Sequence, residues 1–553
     1  MPQKHFKIII FLLILSIFLI RLFYSLPNAP LLDADAISSV QAARSIIETG
    51  VPARNGVFYP RDYLAHYLLA GSIFLIGDNP LSYAVPNLIF SILVLILLYF
   101  VARILTKNKI VIFLTIFFVA ISSVENTFAI NPRSYMQFQF FFLLAVFCFY
   151  KGFVERNKLQ NKQNKKYQIL TLFSYIVSIL SHLSGIILMP VFGLYLIVKN
   201  KKWYRDKLIL AISIIIILFS TFLMCVKLPI DNRQVNPNKV SFNLPCDFRF
   251  QIPFLEKEPV NLTAKKWDGP SGISLNLTSN FSHLFTYLPF ICLFVFAGMA
   301  KLIVDTSLSR RARECVKLAS NTPLKIPLTP FYKEGTFERG IATLYFYCIF
   351  LSSLFLISLL TLHGADKYIF CIFPIFALLV FLGVADFIEF IVGKNNSKLK
   401  LVSWIIILIL TFSLALPAKN IISYPNYSFH SLFNDSRAAV FYLAENKRER
   451  DIIIANDTAI YRFYLNHCDY NLRQRVIGED NNGEPVWNAL EFQNQSPAKI
   501  DSVDKLEKVL NNNQRVWLIK SKEIIGPEIV QYIKENMELK FFDYPIYIYF
   551  SGE

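Results

Sequence analysis

Apolar stretches long enough to cross a bilayer recur along this 553-residue chain, separated by loops whose charges are mostly positive. A hydrocarbon layer of about 30 Å takes roughly 20 helical residues to cross and tolerates no unpaired backbone polar group, so these stretches must be helices packed together. The first runs from Ile8 to Leu26, behind Lys4 and Lys7. No small-residue cleavage site follows it and many more spans do, which predicts an uncleaved anchor with a cytoplasmic N-terminus. Further spans are expected near residues 83–104, 109–125, 135–153, 168–182, 184–199, 207–227, 284–304, 341–362, 367–391 and 401–417. That makes about eleven, an odd number that puts the C-terminus outside. The basic runs 151–166, 199–207, 310–313 and 394–400 then all fall after even-numbered spans, on the cytoplasmic side.

Composition agrees with a polytopic membrane protein. At 54% hydrophobic residues, with 52 Phe and a mean hydropathy of +0.44, the chain is no ordinary soluble globule. The net charge of +17 would suit a nucleic-acid binder, but much of the excess lies in short loops, where the positive-inside rule accounts for it without a nucleic-acid partner. The eight Cys are scattered without metal-ligand spacing, and most read as core residues. Cys246 and Cys468 are the pair expected on an oxidising side, where a disulfide is open to them.

Four segments do not fit a simple bundle. The loop from Pro27 to Pro80 holds two patterned stretches, Ala36 to Thr49 and Tyr63 to Ile76, too short or too polar to span and expected to lie along the interface. A second large loop, Leu228 to Ser282, is rich in Asn and Pro. The stretch Asp305 to Gly340 contains LKIPLTPFYKEGTFERG, which has no helical period and resembles a peptide read from repeat DNA inserted into bacterial genes, a tolerated insertion. From about Ala418 to Glu553 helices (436–446, 502–511, 527–536) alternate with strands (452–455, 516–519, 546–550), predicting a small α/β domain. The expected division is therefore residues 1–417 in the membrane and 418–553 outside it.

An acidic pair, Asp33 and Asp35, follows the first span within Leu31-Leu32-Asp33-Ala34-Asp35, on the side the positive loops avoid. By itself such a pair is a solvated turn or a helix cap as readily as a catalytic group. Its surroundings point further. Asp35-Ala36 is followed by Ala43-Arg44 and Thr49-Gly50, then by Tyr59-Pro60-Arg61-Asp62-Tyr63-Leu64 and Ile76-Gly77. Later come Arg133-Ser134-Tyr135-Met136-Gln137, a His-containing stretch from Leu180 to Pro190, Lys367-Tyr368 and Asp435-Ser436-Arg437. In order and sidedness these resemble the GT-C superfamily of membrane glycosyltransferases. The similarity is to the branch around glycosyltransferase family 39, which includes dolichyl-phosphate-mannose protein mannosyltransferases and the aminoarabinose transferase of lipid A. Asp35 matches the Asp of that branch's Asp-Glu-Ala motif. Ala36 stands where the Glu would be, and Asp33 is the acid that could substitute for it.

The resemblance implies an α-helical GT-C membrane fold and a transferase, hexosyl or pentosyl, that takes sugar from a polyprenyl-phosphate carrier. The acceptor would be a hydroxyl of a lipid, glycan or protein at the extracytoplasmic face, with inversion at the sugar. Such a single displacement needs one carboxylate base on the acceptor side and fixed cations on the departing phosphate. Asp35 is the candidate base and Asp33 its helper. Arg61, Arg133 and Lys367 are the candidate phosphate ligands, with Tyr135 beside them. Each has a plainer reading: Arg61 and Lys367 as interfacial anchors, Arg133 as a snorkelling side chain, His66 and His182 as packed histidines. A divalent metal is left unassigned, since no further acidic cluster completes a site. The alternative is a transporter or flippase for a lipid-linked or small solute. Its usual mark, ionisable groups paired inside the spans, is nearly absent apart from Asp386 and Glu389. The expected location is the inner or plasma membrane of a bacterium.

Overall fold

The computed structural model describes residues 3–25, 34–155 except 55–56 and 60–61, 161–199, 342–354, 370–392, 402–406 and, with short interruptions, 437–552, plus two isolated positions. The spans expected near 207–227 and 284–304, most of that at 401–417, and the segments 228–282 and 305–340 lie outside these residues. Among the described residues, Gln3–Phe23, Pro80–Leu105, Tyr135–Val154 and Phe370–Glu389 are long and apolar enough to cross a membrane.

Helix α1 (Gln3–Ile20) is apolar on every face but packs with only one. Phe6, Ile10, Ile14 and Ile17 recur at helical spacing and are buried in the bundle core, whereas Ile9, Phe11, Leu12 and Leu19 are exposed. That pattern suits a helix with protein on one side and hydrocarbon on the other. A π-helical turn, Arg21–Ser25, ends it. Helices α2 (Ala34–Thr49) and α3 (Tyr63–Ile76) fill the first long loop, joined through a two-stranded pairing of β1 (Ala53–Arg54) and β2 (Val57–Phe58). Helix α4 (Pro80–Leu105) starts with a capping box between Asn79 and Ser82. Pro86 inside it has no N–H for the Ser82 carbonyl, which instead accepts from Ser72 Oγ of α3 at 2.7 Å.

The span expected to run unbroken over 109–125 is bent. Helices α5 (Lys109–Ile121) and α6 (Ser123–Ile130) meet at 56°. Ser122 is extended there and caps α6, its Oγ accepting from the Glu125 N–H at 3.2 Å. Helix α7 (Tyr135–Phe149) leads through a π-helical turn, and α8 (Asn161–Ser181) is followed by a 3-10 turn, Leu183–Ile187, and α9 (Leu188–Lys199). The core joins α1, α4, α5 and α7 to α9 with the helices Ala342–Leu354 and Phe373–Val392. Aromatic stacking is dense in it: Phe149 lies 4.1 Å from Phe192 and 4.7 Å from Phe153, centroid to centroid.

The C-terminal region is a six-stranded mixed sheet in the order β7 (Ala498–Ile500), β4 (Tyr470–Leu472), β3 (Ile452–Ala455), β8 (Arg515–Lys520), β10 (Ile546–Gly552), β9 (Glu538–Asp543). The first four strands are parallel and the last two pairings antiparallel. A separate hairpin pairs β5 (Arg475–Glu479) with β6 (Pro485–Asn488). One sheet face packs on the helices Val503–Asn512 and Pro527–Asn536. The other packs on Arg437–Asn446 and Thr458–Leu465, and Ile37 of α2, fully buried, belongs to that same cluster. Cys468, the described member of the considered disulfide, is a free buried thiol whose Sγ lies 3.6 Å from the Ile453 carbonyl. Helix α2 is thus packed between α3 and the sheet domain, which fixes the first loop and the C-terminal region on one side of the bundle.

Candidate active site

Asp35 lies in the first turn of α2, where the helix dipole favours negative charge. The next position, Ala36, where the resemblance would place a second acid, has 0% exposure. Arg133 comes from the turn between α6 and α7, far from Asp35 in sequence. The fold brings them together, with Arg133 Nη2 3.0 Å from Asp35 Oδ2. The Arg133 side chain is 10% exposed and that of Asp35 63%, so the cation sits inside the protein while the carboxylate faces out.

Behind the pair lie aromatic groups. The Arg133 guanidinium carbon is 5.9 Å from the Tyr135 ring centroid, and Tyr135 is 5.5 Å from the His182 ring. His182 also lies 5.1 Å from Phe138. Its Nδ1 accepts from the Ser184 N–H at 3.2 Å, which places the proton of the neutral ring on Nε2. The turn beyond His182 packs tightly on α8: a Cβ on Gly185 would come within 2.9 Å of the Ile179 backbone nitrogen. His66, the other histidine considered, is 1% exposed and 5.4 Å from the Tyr59 ring, a packed position.

Of the residues expected in the site, the structure therefore unites Asp35, Arg133 and Tyr135. Asp33, Arg61 and Lys367 lie outside the described residues. Asp62, which follows Arg61, has φ 50° and ψ 40°, the one non-glycine residue in the left-handed region among those described. Its conformation sets the angle at which Asp62 leads into α3. Among the described residues, no group of three or more His, Cys, Asp and Glu could hold a metal ion.

The sequence reading missed a layer of buried polar groups under this pair. Arg21, 1% exposed, donates from Nε to Asn126 Oδ1 at 2.8 Å and from Nη2 to the Ala120 carbonyl at 3.0 Å, one of the acceptors freed where α5 breaks. Glu125, also 1% exposed, accepts from Gln139 Nε2 at 2.7 Å, and Gln139 Nε2 reaches the Phe370 carbonyl at 3.0 Å. Ionisable groups inside a membrane bundle are what a transporter would carry. Here they brace a broken helix through fixed partners. The signal available in sequence was the pair Gln137 and Gln139 within an otherwise apolar, aromatic run.

A second contact joins the first loop to the sheet domain. Arg44 of α2 pairs with Asp78 at 2.8 Å and donates to Tyr83 Oη at 3.0 Å. Its guanidinium lies 4.9 Å from the ring centroid of Phe463.

The helical bundle, with its acid-bearing first loop packed on a small α/β domain, has the architecture expected from the GT-C resemblance. The structure resembles that of ArnT from Cupriavidus metallidurans bound to undecaprenyl phosphate, with a TM-score of 0.52 at 12% identity over 100% of both chains. For apo ArnT the TM-score is 0.53 at 12% identity, over 100% of this chain and 99% of that one. AglB from Archaeoglobus fulgidus, an archaeal oligosaccharyltransferase in complex with an inhibitory peptide and a dolichol-phosphate, gives 0.47 at 14% identity over 81% of this chain and 59% of its own. In sequence, residues 61–225 match the model of the dolichyl-phosphate-mannose-protein mannosyltransferase family. No curated protein matches the chain. The chain is a multi-pass membrane protein that shares its fold with ArnT.

Proposed function

We propose that this protein is a glycosyltransferase that moves a sugar from a polyprenyl-phosphate carrier to an acceptor hydroxyl at the extracytoplasmic face, with inversion. The observation that carries the reading is the Asp35–Arg133 pair at 3.0 Å, which sets an exposed carboxylate against a recessed guanidinium at the mouth of a membrane bundle. Asp35 takes the proton of the acceptor hydroxyl as its oxygen attacks the anomeric carbon. The bond from that carbon to the phosphate oxygen breaks on the opposite face, and polyprenyl phosphate leaves with the bonding electrons. The charge that grows on the phosphate falls to Arg133. A guanidinium has five N–H donors in one plane, enough to serve a carboxylate and two phosphate oxygens together. Arg61 and Lys367 supply further positive charge in this reading, and Asp33 orients the base.

The resemblance to ArnT, whose structure holds undecaprenyl phosphate, and the match to a family of dolichyl-phosphate-mannose users support a lipid-phosphate donor. Orientation follows from the basic loops: N-terminus cytoplasmic, residues 1–417 as the membrane catalytic domain and 418–553 outside. The test is purified protein in detergent with a panel of short-chain polyprenyl-phosphate sugars, scored for released polyprenyl phosphate and for product anomer. Intact donors throughout, with lipid translocated across vesicles instead, would replace this reading with the transporter.

A further inference from the structure

Asn87 sits in α4, next to Pro86, and is 1% exposed. Its Nδ2 donates to the carbonyls of Asn131 and Arg133, the latter at 2.8 Å. Turned so that Nε2 donates to the carbonyls of Ser134 at 3.0 Å and Arg133 at 3.2 Å, the Gln137 amide lies against Asn87 Oδ1, with Nε2 at 3.0 Å and Oε1 at 2.7 Å. The turn is also closed internally, the Arg133 N–H bonding the Asn131 carbonyl at 2.7 Å. Two side-chain amides from different helices thus clasp the backbone of the residue whose guanidinium meets Asp35.

Only a primary amide meets this demand at position 87. It offers two N–H donors to two carbonyls and an oxygen to Gln137 from one planar group. Asp would turn a charge toward two carbonyl oxygens, and Leu would remove both donors from them. Pro132, inside the clasped turn, has no N–H with which to close it in another way.

We propose that Asn87 is a positioning residue for lipid-phosphate recognition: by holding the backbone carbonyl of Arg133 it sets where the Arg133 guanidinium presents itself. This rests on the reading of Arg133 as a phosphate ligand. The test measures binding of a short-chain polyprenyl phosphate to the purified full-length protein in detergent for Asn87→Asp, Gln137→Met and Arg133→Ala, and for each of the first two combined with Arg133→Ala. Asn87→Asp should weaken binding about tenfold or more, and Gln137→Met, which removes only the supporting amide, should weaken it less. In the Arg133→Ala background neither should cause further loss. A purely structural role would give the same loss in both backgrounds and would overturn the proposal, as would wild-type binding by a folded Asn87→Asp. If Asn87→Asp does not fold, Gln137→Met carries the comparison, and additive loss there overturns the proposal equally. Wild-type binding by Arg133→Ala would instead remove the parent reading, and this proposal with it.

Discussion

Replacing Asp35 by Asn separates a base from an ornament because the two roles differ in size. The carboxylate lies 3.0 Å from Arg133 with its side chain 63% exposed. Two unit charges that close attract by about 1.4 kcal/mol in bulk water. Side-chain ordering and salt reduce such exposed pairs to about 0.2–1 kcal/mol of stability. Asn keeps the shape and a hydrogen bond to the guanidinium, so the loss of stability should fall at the low end of that range. It cannot take a proton from the acceptor, and loss of a general base costs about 10²-fold or more in turnover, close to 2.7 kcal/mol of activation free energy. Transfer from a synthetic polyprenyl-phosphate sugar and thermal unfolding in detergent, measured on the same preparation, should therefore diverge: turnover collapses while Tm stays within about a degree or two. Transfer within about threefold of wild type would refute the base assignment. An equal loss in Asp33→Asn alone would move the role two residues upstream.

Other outcomes follow from the packing and the charges. Burial acts to raise the Asp451 carboxyl, but hydrogen bonds from Arg515, the Arg448 amide and Trp517, with the Arg515 charge, hold it below the usual carboxylate range. Its contribution to stability is thus complete above the unfolded value of about 3.9 and is lost as pH falls through the lower folded value. Acid unfolding of the C-terminal region should set in below about pH 4, and Asp451→Asn should destabilise at neutral pH by an amount that shrinks in acid. Phe463→Ala removes the ring over Arg44 and should cost about 1–3 kcal/mol, read as faster proteolysis between the first loop and the sheet domain; an unchanged digestion pattern would deny that contact a docking role. In a background cleared of native Cys, Lys508→Cys should react with an impermeant maleimide in intact cells and Arg310→Cys only after permeabilisation, and the reverse would invert the topology. Deleting residues 322–340 with a short flexible linker in their place should leave transfer nearly intact, because loop length costs little free energy; lost turnover in normally inserted protein would show the segment to be functional.

Local pattern was enough for some elements. The expected stretch Tyr63 to Ile76 is helix α3, 452–455 is strand β3 and 527–536 is a helix, because each carries its own periodicity and breakers. Helix α2 begins at Ala34, two residues before its expected start, which brings Asp35 into the first turn. The bend at Ser122 falls where Ser122, Ser123, Glu125 and Asn126 interrupt the apolar run in a Ser-x-x-Glu cap pattern that a span drawn by hydropathy over 109–125 passes over, and the cap to Glu125 and the bonds from Arg21 show why the chain turns. Asp35 and Arg133 could each be nominated from motifs, but their meeting depends on how α2, α6 and α7 pack. Asn87 carried no signal, since a polar residue inside a span looks alike whether it clasps a turn or fills a gap.

The burial of Arg21 bears on how the molecule is made. Its partners Asn126 and Ala120 lie 105 and 99 residues downstream, so α1 enters the membrane before either exists. At cellular rates of synthesis that interval is on the order of 5–20 s, during which the guanidinium has to stay with water and lipid headgroups. The first helix is therefore a provisional resident of the bilayer. It can settle at its final depth only when α6 arrives to receive its charge, so damage at Asn126 would be felt during biogenesis, as a protein degraded young.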